Sequence, residues 1–349
     1  MPARIPRLQR LRTITLPAAI GMLALAAACS HGVTEPSDTA NQPDAGAPLV
    51  FRASPLDESE IRFIVPLGNL NPPGHTFPSD HIYFYNRIPN TPFTGAVPVY
   101  APGDGRVQFI LVSGAESQIG VRAGTSIYYL AHVVLDPSIQ QGAMLTAGQR
   151  IGVTGSVAYG IDLGVMNEQK TVYFVNPLRF PGTSLHGDAP LPYFEEPLRS
   201  RMYGRVQAVS SNLDGRFAYD EPGRLVGDWF LDGTPVGESA VASAWPRHLA
   251  FVYDNYDPSR LRVAIGGTLP LVGAFAVASN GPDPRDITPG SGKVVYRLLQ
   301  AGGAGDAPGV QRGVLAVQML DASTISVDVN PSATATDVDL GPTARRYVR

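Results

Sequence analysis

With one cysteine and six histidines among its 349 residues, this chain must build any metal or acid–base site mainly from imidazoles and carboxylates. The densest such group is His75, Asp80 and His81, in PGHTFPSDHIYFY. Imidazole and carboxylate are natural ligands for zinc when thiolate is absent. On an extended segment Asp80 and His81 point to opposite faces. At most one of them then shares a centre with His75, unless the turn at Pro78 rearranges the chain. The competing reading is that His75 caps a turn and His81 is an ordinary strand histidine. His132 lies in YYLAHVV, His186 in GTSLHGDAP, His248 in WPRHLAFVYD and His31 in a polar stretch. The sequence has no Gly-x-Ser-x-Gly elbow, P-loop, dinucleotide fingerprint or His-Glu-x-x-His. Glu195-Glu196 reads as a solvated pair.

The elements that must hold these groups read as strands. IRFIVPLG, HIYFYNR, VPVYAPGDGRVQFILVSG, SQIGVRAG and SIYYLAHVVL are short runs rich in β-branched and aromatic residues, punctuated by Gly, Pro and Asp. VPVYAPGDGRVQFILV predicts a hairpin turning at Pro-Gly-Asp-Gly. Leu163–Val165 and Val172–Val175 read as later strands. Pro190–Pro197 reads as a proline-bracketed joint. Beyond it, RMYGRVQAV, GRLVGDWFLDG, HLAFVYD, RLRVAIGG, GKVVYRLLQ, GVLAVQML and TISVDV are further strand candidates. Their spacing fits a small antiparallel barrel or sandwich. The final GPTARRYVR reads as a short strand or ordered tail. Gly 37, Pro 32 and 16% charged residues agree with many short strands and tight turns. A length prior of about 150 residues per domain allows roughly two.

The order GHTFPSDHI, VPVYAPGDGRV, YYLAHV, GAMLTAGQRIGVTG, GIDLGVMNE resembles the lysostaphin/LytM-type zinc endopeptidases over roughly residues 60–178. The resemblance implies an all-β, LytM-like barrel-sandwich hybrid domain (51–197), followed by the small antiparallel barrel or sandwich (198–349). It implies His75 and Asp80 as metal ligands, with the His-to-Asp spacing one residue longer than in the family. His132 matches the histidine beside the metal. The closing His-x-His falls on Asp162-Leu163-Gly164, so Asp162 replaces a catalytic histidine and Gly164 replaces the third ligand. Glycine offers no ligand atom, whereas a catalytic zinc takes three protein ligands plus water. Asp162 or His81 would have to complete the set. The expectation is therefore a degenerate, non-catalytic domain that binds peptidoglycan or an envelope partner, with no cofactor. The alternative is a zinc-dependent peptidoglycan endopeptidase using His132 and Asp162 in catalysis.

The N-terminus reads as an address. Arg4, Arg7, Arg10 and Arg12 precede an apolar run from Ile14 to Ala28, the pattern of a secretory signal. Cys29 follows Leu-Ala-Ala-Ala, which resembles a bacterial lipoprotein lipobox. This implies a signal peptide over 1–28, lipidation of Cys29, and a flexible tether through residue 50. Ser30 after the cysteine favours the periplasmic face of the outer membrane, so the partners are the membrane through Cys29 and the cell wall or an envelope protein. The formal charge of −3 gives no reason to expect nucleic acid. Removing the four arginines leaves 27 less four basic residues against 30 acids, a formal −7. In the second domain, Trp229, Phe230, Trp245, Phe251, Tyr253 and Tyr256 read chiefly as core. Asp254, Asp257, Asp283 and Asp286 read as turn-formers. A third possibility is a small-ligand or carbohydrate carrier working through this barrel.

Overall fold

The computed structural model describes residues 47–89, 91–238, 242–301 and 309–349. The expected signal segment, Cys29 and the expected tether up to residue 46 lie outside the described residues. The described chain is nearly all β, with two short helices, α1 (Gly182–Leu185) and α2 (Leu198–Tyr203). A ten-stranded sheet comes first, followed by a closed eight-stranded barrel.

The sheet uses β1 (Phe63–Val65), β2 (His81–Tyr85), β3 (Pro98–Tyr100), β4 (Gly105–Ser113), β5 (Glu116–Ala123), β6 (Ser126–Leu135), β7 (Met144–Leu145), β8 (Arg150–Thr154), β9 (Gly160–Asn167) and β10 (Gly187–Asp188). Its path is β1-β2-β9-β6-β5-β4-β7, with β8 joining β6 to β3 and β10 lying on β9. Alternation divides its central strands into two faces. Ile82 and Phe84 on β2, and Ile161, Leu163 and Val165 on β9, are fully buried in one apolar cluster. The residues between them, His81, Tyr83, Asp162 and Gly164, lie on the other face. The register His81↔Gly164 and Tyr83↔Asp162 on one side of β9, and Tyr129↔Gly164 and Ala131↔Asp162 on the other, brings β2, β9 and β6 together beneath the site.

The barrel uses β11 (Gly227–Leu231), β12 (His248–Tyr253), β13 (Leu261–Ile265), β14 (Gly273–Val277), β15 (Val294–Gln300), β16 (Gln311–Met319), β17 (Thr324–Asn330) and β18 (Arg345–Val348). Each pairs antiparallel with the next, and β18 closes onto β11 through Phe230↔Val348 and Leu231↔Tyr347. Trp229, Phe251, Tyr296, Leu315 and Tyr347 fill its core cluster. Each large aromatic side chain contributes on the order of 2–3 kcal/mol by burial. β15 alternates between buried and more exposed residues, as a strand with one face toward solvent should. β12 is buried at every position, because its outer residues Ala250 and Val252 pack with Leu70 and Phe77 from the first part of the chain.

Several local expectations change. The Pro-Gly-Asp-Gly turn does not close a hairpin: β3 pairs with β8, and β4 pairs with β5 and β7. The N-terminal segment accounts for this, since Phe51 bridges to Gly103 and the Pro102 carbonyl accepts from the backbone N–H groups of Arg52 and Ala53. Val172–Val175 makes no strand. Phe174 is buried by stacking on Phe180 at 3.7 Å, and the Val175 N–H donates to Asp220. RMYGRVQAV begins inside α2, where Leu198 and Met202, four apart on one helical face, join the sheet's core. β14, a short stretch of small residues, gave little apolar signal, yet its register with β13 is continuous. The last predicted segment does form a strand, β18.

Candidate functional site

The five residues singled out for chemistry, His75, Asp80, His81, His132 and Asp162, meet on the polar face of the sheet. Asp80 and His81 do not point apart as on an ideal strand. Asp80 lies just before β2, and its Oδ1 sits 3.0 Å from His81 Nδ1. The His75 ring lies 5.2 Å from that of His81, centroid to centroid. The His75 ring also meets Tyr83 edge-on at 6.3 Å and stacks near the partly exposed Trp245, with ring planes 28° apart.

His132 reaches the site through its backbone. Strict alternation would send it away from Ala131, to the face opposite Asp162. The β5–β6 register shifts between Ser117 and Ile119, and His132 has φ 64°, a conformation that costs a non-glycine residue roughly 1–2 kcal/mol. Such strain concentrates at functional sites. It lets the ring bridge two carboxylates, with Nδ1 2.8 Å from Glu116 Oε2 and Nε2 3.3 Å from Asp162 Oδ2. Glu116 is itself held, since its Oε1 accepts from the Val157 N–H at 2.8 Å. It packs so closely on Gly155 that a Cβ there would collide with its carboxyl group.

Acids and imidazoles thus alternate in a row: Glu116, His132, Asp162, His81, Asp80. Asp162 Oδ2 faces His132 on one side and His81 Nε2, at 3.6 Å, on the other. The Asp162 bond raises the His132 pKa to about 9 against the opposing effect of burial, and Glu116 adds to the rise. Burial alone would neutralise His81, but Asp80 and Asp162 outweigh it and shift its pKa upward. Burial also opposes ionisation of both aspartates. Hydrogen bonds and nearby imidazoles overcome it, and both pKa values fall. Unlike the other two imidazoles, His75 has its pKa lowered, to about 4, through burial and the neighbouring His81. The carboxylates thus favour the charged form of both imidazoles in the row, while burial favours the uncharged form of His75 beside it.

Two residues that sequence reasoning missed close the site at Asp80. The Tyr129 hydroxyl donates to Oδ1 at 3.0 Å, and the Ser184 hydroxyl donates to Oδ2 at 2.6 Å. With His81, three donors converge on one carboxylate. Tyr129 also explains Gly164: a Cβ built on that glycine would collide with the Tyr129 ring and hydroxyl. The ring stands where a side chain of residue 164 would project.

Zinc, which the sequence resemblance implies, does not fit these residues. Its ligands must be deprotonated imidazoles and free carboxylate oxygens. Both oxygens of Asp80 already accept protein donors, His81 Nδ1 is engaged by Asp80, both ring nitrogens of His132 face carboxylates, and Tyr129 fills the side-chain space at position 164. Among the described residues, no group of three or more His, Cys, Asp or Glu is arranged to hold a metal ion.

A groove of about 280 Å³ opens beside the row, walled by His75, Tyr83, Tyr85, His132, Tyr159 and Asp162. Its tyrosines form a ladder, Tyr83 to Tyr85 at 6.1 Å and Tyr85 to Tyr159 at 6.2 Å between centroids. His186 stands apart, its Nδ1 2.6 Å from the Lys170 carbonyl. His248 stacks on Phe77 at 4.1 Å. Three of the predicted turn-formers act as such: Asp254 accepts from the N–H groups of Tyr256 and Asp257, Asp257 from that of Ser259, and Asp283 from that of Arg285.

No family model matches the chain, and no curated protein matches it. Solved structures do. The catalytic domain of the antimicrobial peptidase lysostaphin from Staphylococcus simulans is similar at 20% identity, over 38% of this chain and 87% of that one, with a TM-score of 0.27. Csd3 of Helicobacter pylori is similar at 20% identity over 39% of this chain, with a TM-score of 0.28, and the match spans 35% of the Csd3 chain. A zinc containing peptidase from Vibrio cholerae is similar at 18% identity, over 35% of this chain and 38% of that one, with a TM-score of 0.26.

Proposed function

We propose that this chain is a non-catalytic, LytM-like binding protein of the bacterial envelope, whose tyrosine-walled groove takes peptidoglycan or an envelope partner. The observation that carries this reading is the closure of the Asp80 end of the site by Tyr129, Ser184 and His81. A carboxylate with three protein donors is a structural hub rather than a waiting ligand. The ion-paired row then serves to hold the floor of the groove rigid. Stacked tyrosines suit the apolar faces of sugars and the planes of peptide bonds alike. Cys29, as a lipidated anchor, would place the groove facing the wall at the periplasmic face of the outer membrane.

Two measurements on the chain from Ser30 onward test the reading. Metal analysis after dialysis against a weak chelator should find far less than one zinc per chain. Co-sedimentation with purified sacculi should deplete the protein from solution without releasing soluble muropeptides. Near one equivalent of zinc, lost in His75→Ala, together with release of peptides, would instead establish the zinc endopeptidase.

A further inference from the structure

One edge of the ten-stranded sheet is open over part of its length. β4 lies between β5 and β7, but β7 covers only Gly105 and Arg106. Val107 then exchanges backbone bonds with Gly142 and Ala143, and the Gln108 carbonyl accepts from the Gln141 side chain. From Phe109 to Ser113, no strand among the described residues lies on that side. The open stretch reads Phe-Ile-Leu-Val-Ser, with Leu111 58% and Val112 74% exposed. Natural edges are guarded by charges, proline, bulges or extreme shortness. This stretch has neither charge nor proline, and the bulge of β4 lies before it, between Val107 and Phe109.

The register decides which backbone groups face outward. In an antiparallel pair, alternate residues turn both groups away from the partner strand. Val107 is such a residue, since its N–H and C=O go to Ala143 and Gly142. The bulge inserts Gln108 and moves the alternation by one position. Ile110 and Val112 therefore turn outward, while Phe109, Leu111 and Ser113 bond to β5. A Ser113↔Glu116 pair closing on Gly114-Ala115, with Gly114 at φ 63°, fits that phase.

Two outward residues separated by one make a self-complementary edge. A second copy laid antiparallel sets Ile110 against Val112 and Val112 against Ile110. The two Leu111 side chains then face each other on the two-fold axis. Four backbone hydrogen bonds form, the exposed Leu111 and Val112 are covered, and no like charges meet. We propose that this edge of β4 pairs with the same edge of a second copy of the chain, joining two sheets into one about Leu111. Phe109 faces the side of Tyr129, through Phe109↔Gly120 and Gly120↔Tyr129. Leu111, two residues on, shares that face, so the polar faces of both copies look the same way. The pairing holds whatever the groove takes. An edge of five residues buries well under the roughly 1,200 Å² of a stable complex, so the dimer is weak.

The test uses the chain from Ser30 onward, which has no cysteine. Sedimentation equilibrium should show the average mass rising from monomer toward dimer between about 1 and 500 µM. Val112→Pro removes an outward N–H, a change that edge strands tolerate. Leu111→Lys sets two like charges on the axis. Each should weaken association at least about tenfold, and Leu111→Lys should leave the thermal melt of the dilute monomer in place. Leu111→Cys should cross-link to its own mate under mild oxidant, because facing residues of a non-bonded pair lie about 4.5 Å apart at Cα, within disulfide reach. Leu320→Cys, exposed beyond β16, should cross-link at least about tenfold more slowly. If Val112→Pro unfolds, Leu111→Lys and the two cysteine variants still decide. A single monomeric mass at every concentration overturns the proposal and leaves the edge to a strand of another protein. Association unchanged in both edge variants overturns it too, as does cross-linking at position 111 no faster than at 320.

Discussion

Asp80 at the sheet, its side chain 14% exposed, and Asp228 in the barrel, 3% exposed, are both largely enclosed carboxylates, yet their titrations move in opposite directions. Asp80 has three donors, and its pKa is driven down. Asp228 has an Oδ1 without a partner and lies beside Asp220. Burial, then that second carboxylate, pushes its pKa well up despite Arg349. Burial is common to both. The donors decide the sign. The sheet surrounds its acid with donors, leaving His81 Nε2 as the unmatched atom of the row, whereas the barrel leaves its acid short of them.

The largest effect should come from cutting the satisfied end. Asp80→Ala leaves Tyr129, Ser184 and His81 without their acceptor and should cost about 3–5 kcal/mol in urea unfolding. Because the folded pKa of Asp80 lies below the unfolded value, its contribution is present above about pH 4 and fades as the pH falls. Wild type and variant should therefore converge in acid.

Next comes the exchange of bulk between strands. Gly164→His should destabilise by about 3 kcal/mol through overpacking against Tyr129. Adding Tyr129→Ala should recover at least about 1 kcal/mol relative to the sum of the single changes in a double-mutant cycle. Strict additivity would mean that the ring does not occupy that space.

The strained bridge gives a smaller, directional effect. His132→Gly should be more stable than His132→Ala by about 1 kcal/mol, since only glycine accepts φ 64° without strain. With the folded pKa of His132 raised to about 9, its ion pairing supports the fold fully below about pH 6.5 and is lost as the pH rises through 9. Thermal melts of wild type should fall over that window relative to either variant.

The smallest change belongs to the barrel. Asp228→Asn should be neutral or stabilising by up to about 1 kcal/mol at pH 7. A raised folded pKa means the native acid supports the fold only below about pH 4, so the advantage of asparagine should grow with pH from there. A loss of stability at pH 7 would erase the contrast between the two aspartates.

Much of this was legible beforehand, and the failures are instructive. Alternating β-branched and aromatic runs gave most strands, and the histidine–aspartate motif together with the family resemblance gave five of the residues that meet on the sheet. Glu116 and Tyr129 were missed because their roles depend on register. Glu116 follows the β4–β5 turn and meets His132 only through the bulge, while Tyr129 matters only because β6 lies beside Gly164. Ser184 reaches Asp80 across 104 positions, beyond any local pattern. One signal was available: a glycine at an expected ligand position invites a search for a large residue on the neighbouring strands. The missed pairing of β3 with β8 has the same origin, since Phe51 takes the place that a hairpin partner would have filled.

β12, covered on both sides, has a consequence for dissection. A fragment carrying the barrel alone would bare Ala250 and Val252 where Leu70 and Phe77 now lie, a sticky stripe inviting self-association. In the intact chain the amides of β12 should exchange with solvent only when sheet and barrel open together, so the two should melt in one transition rather than two.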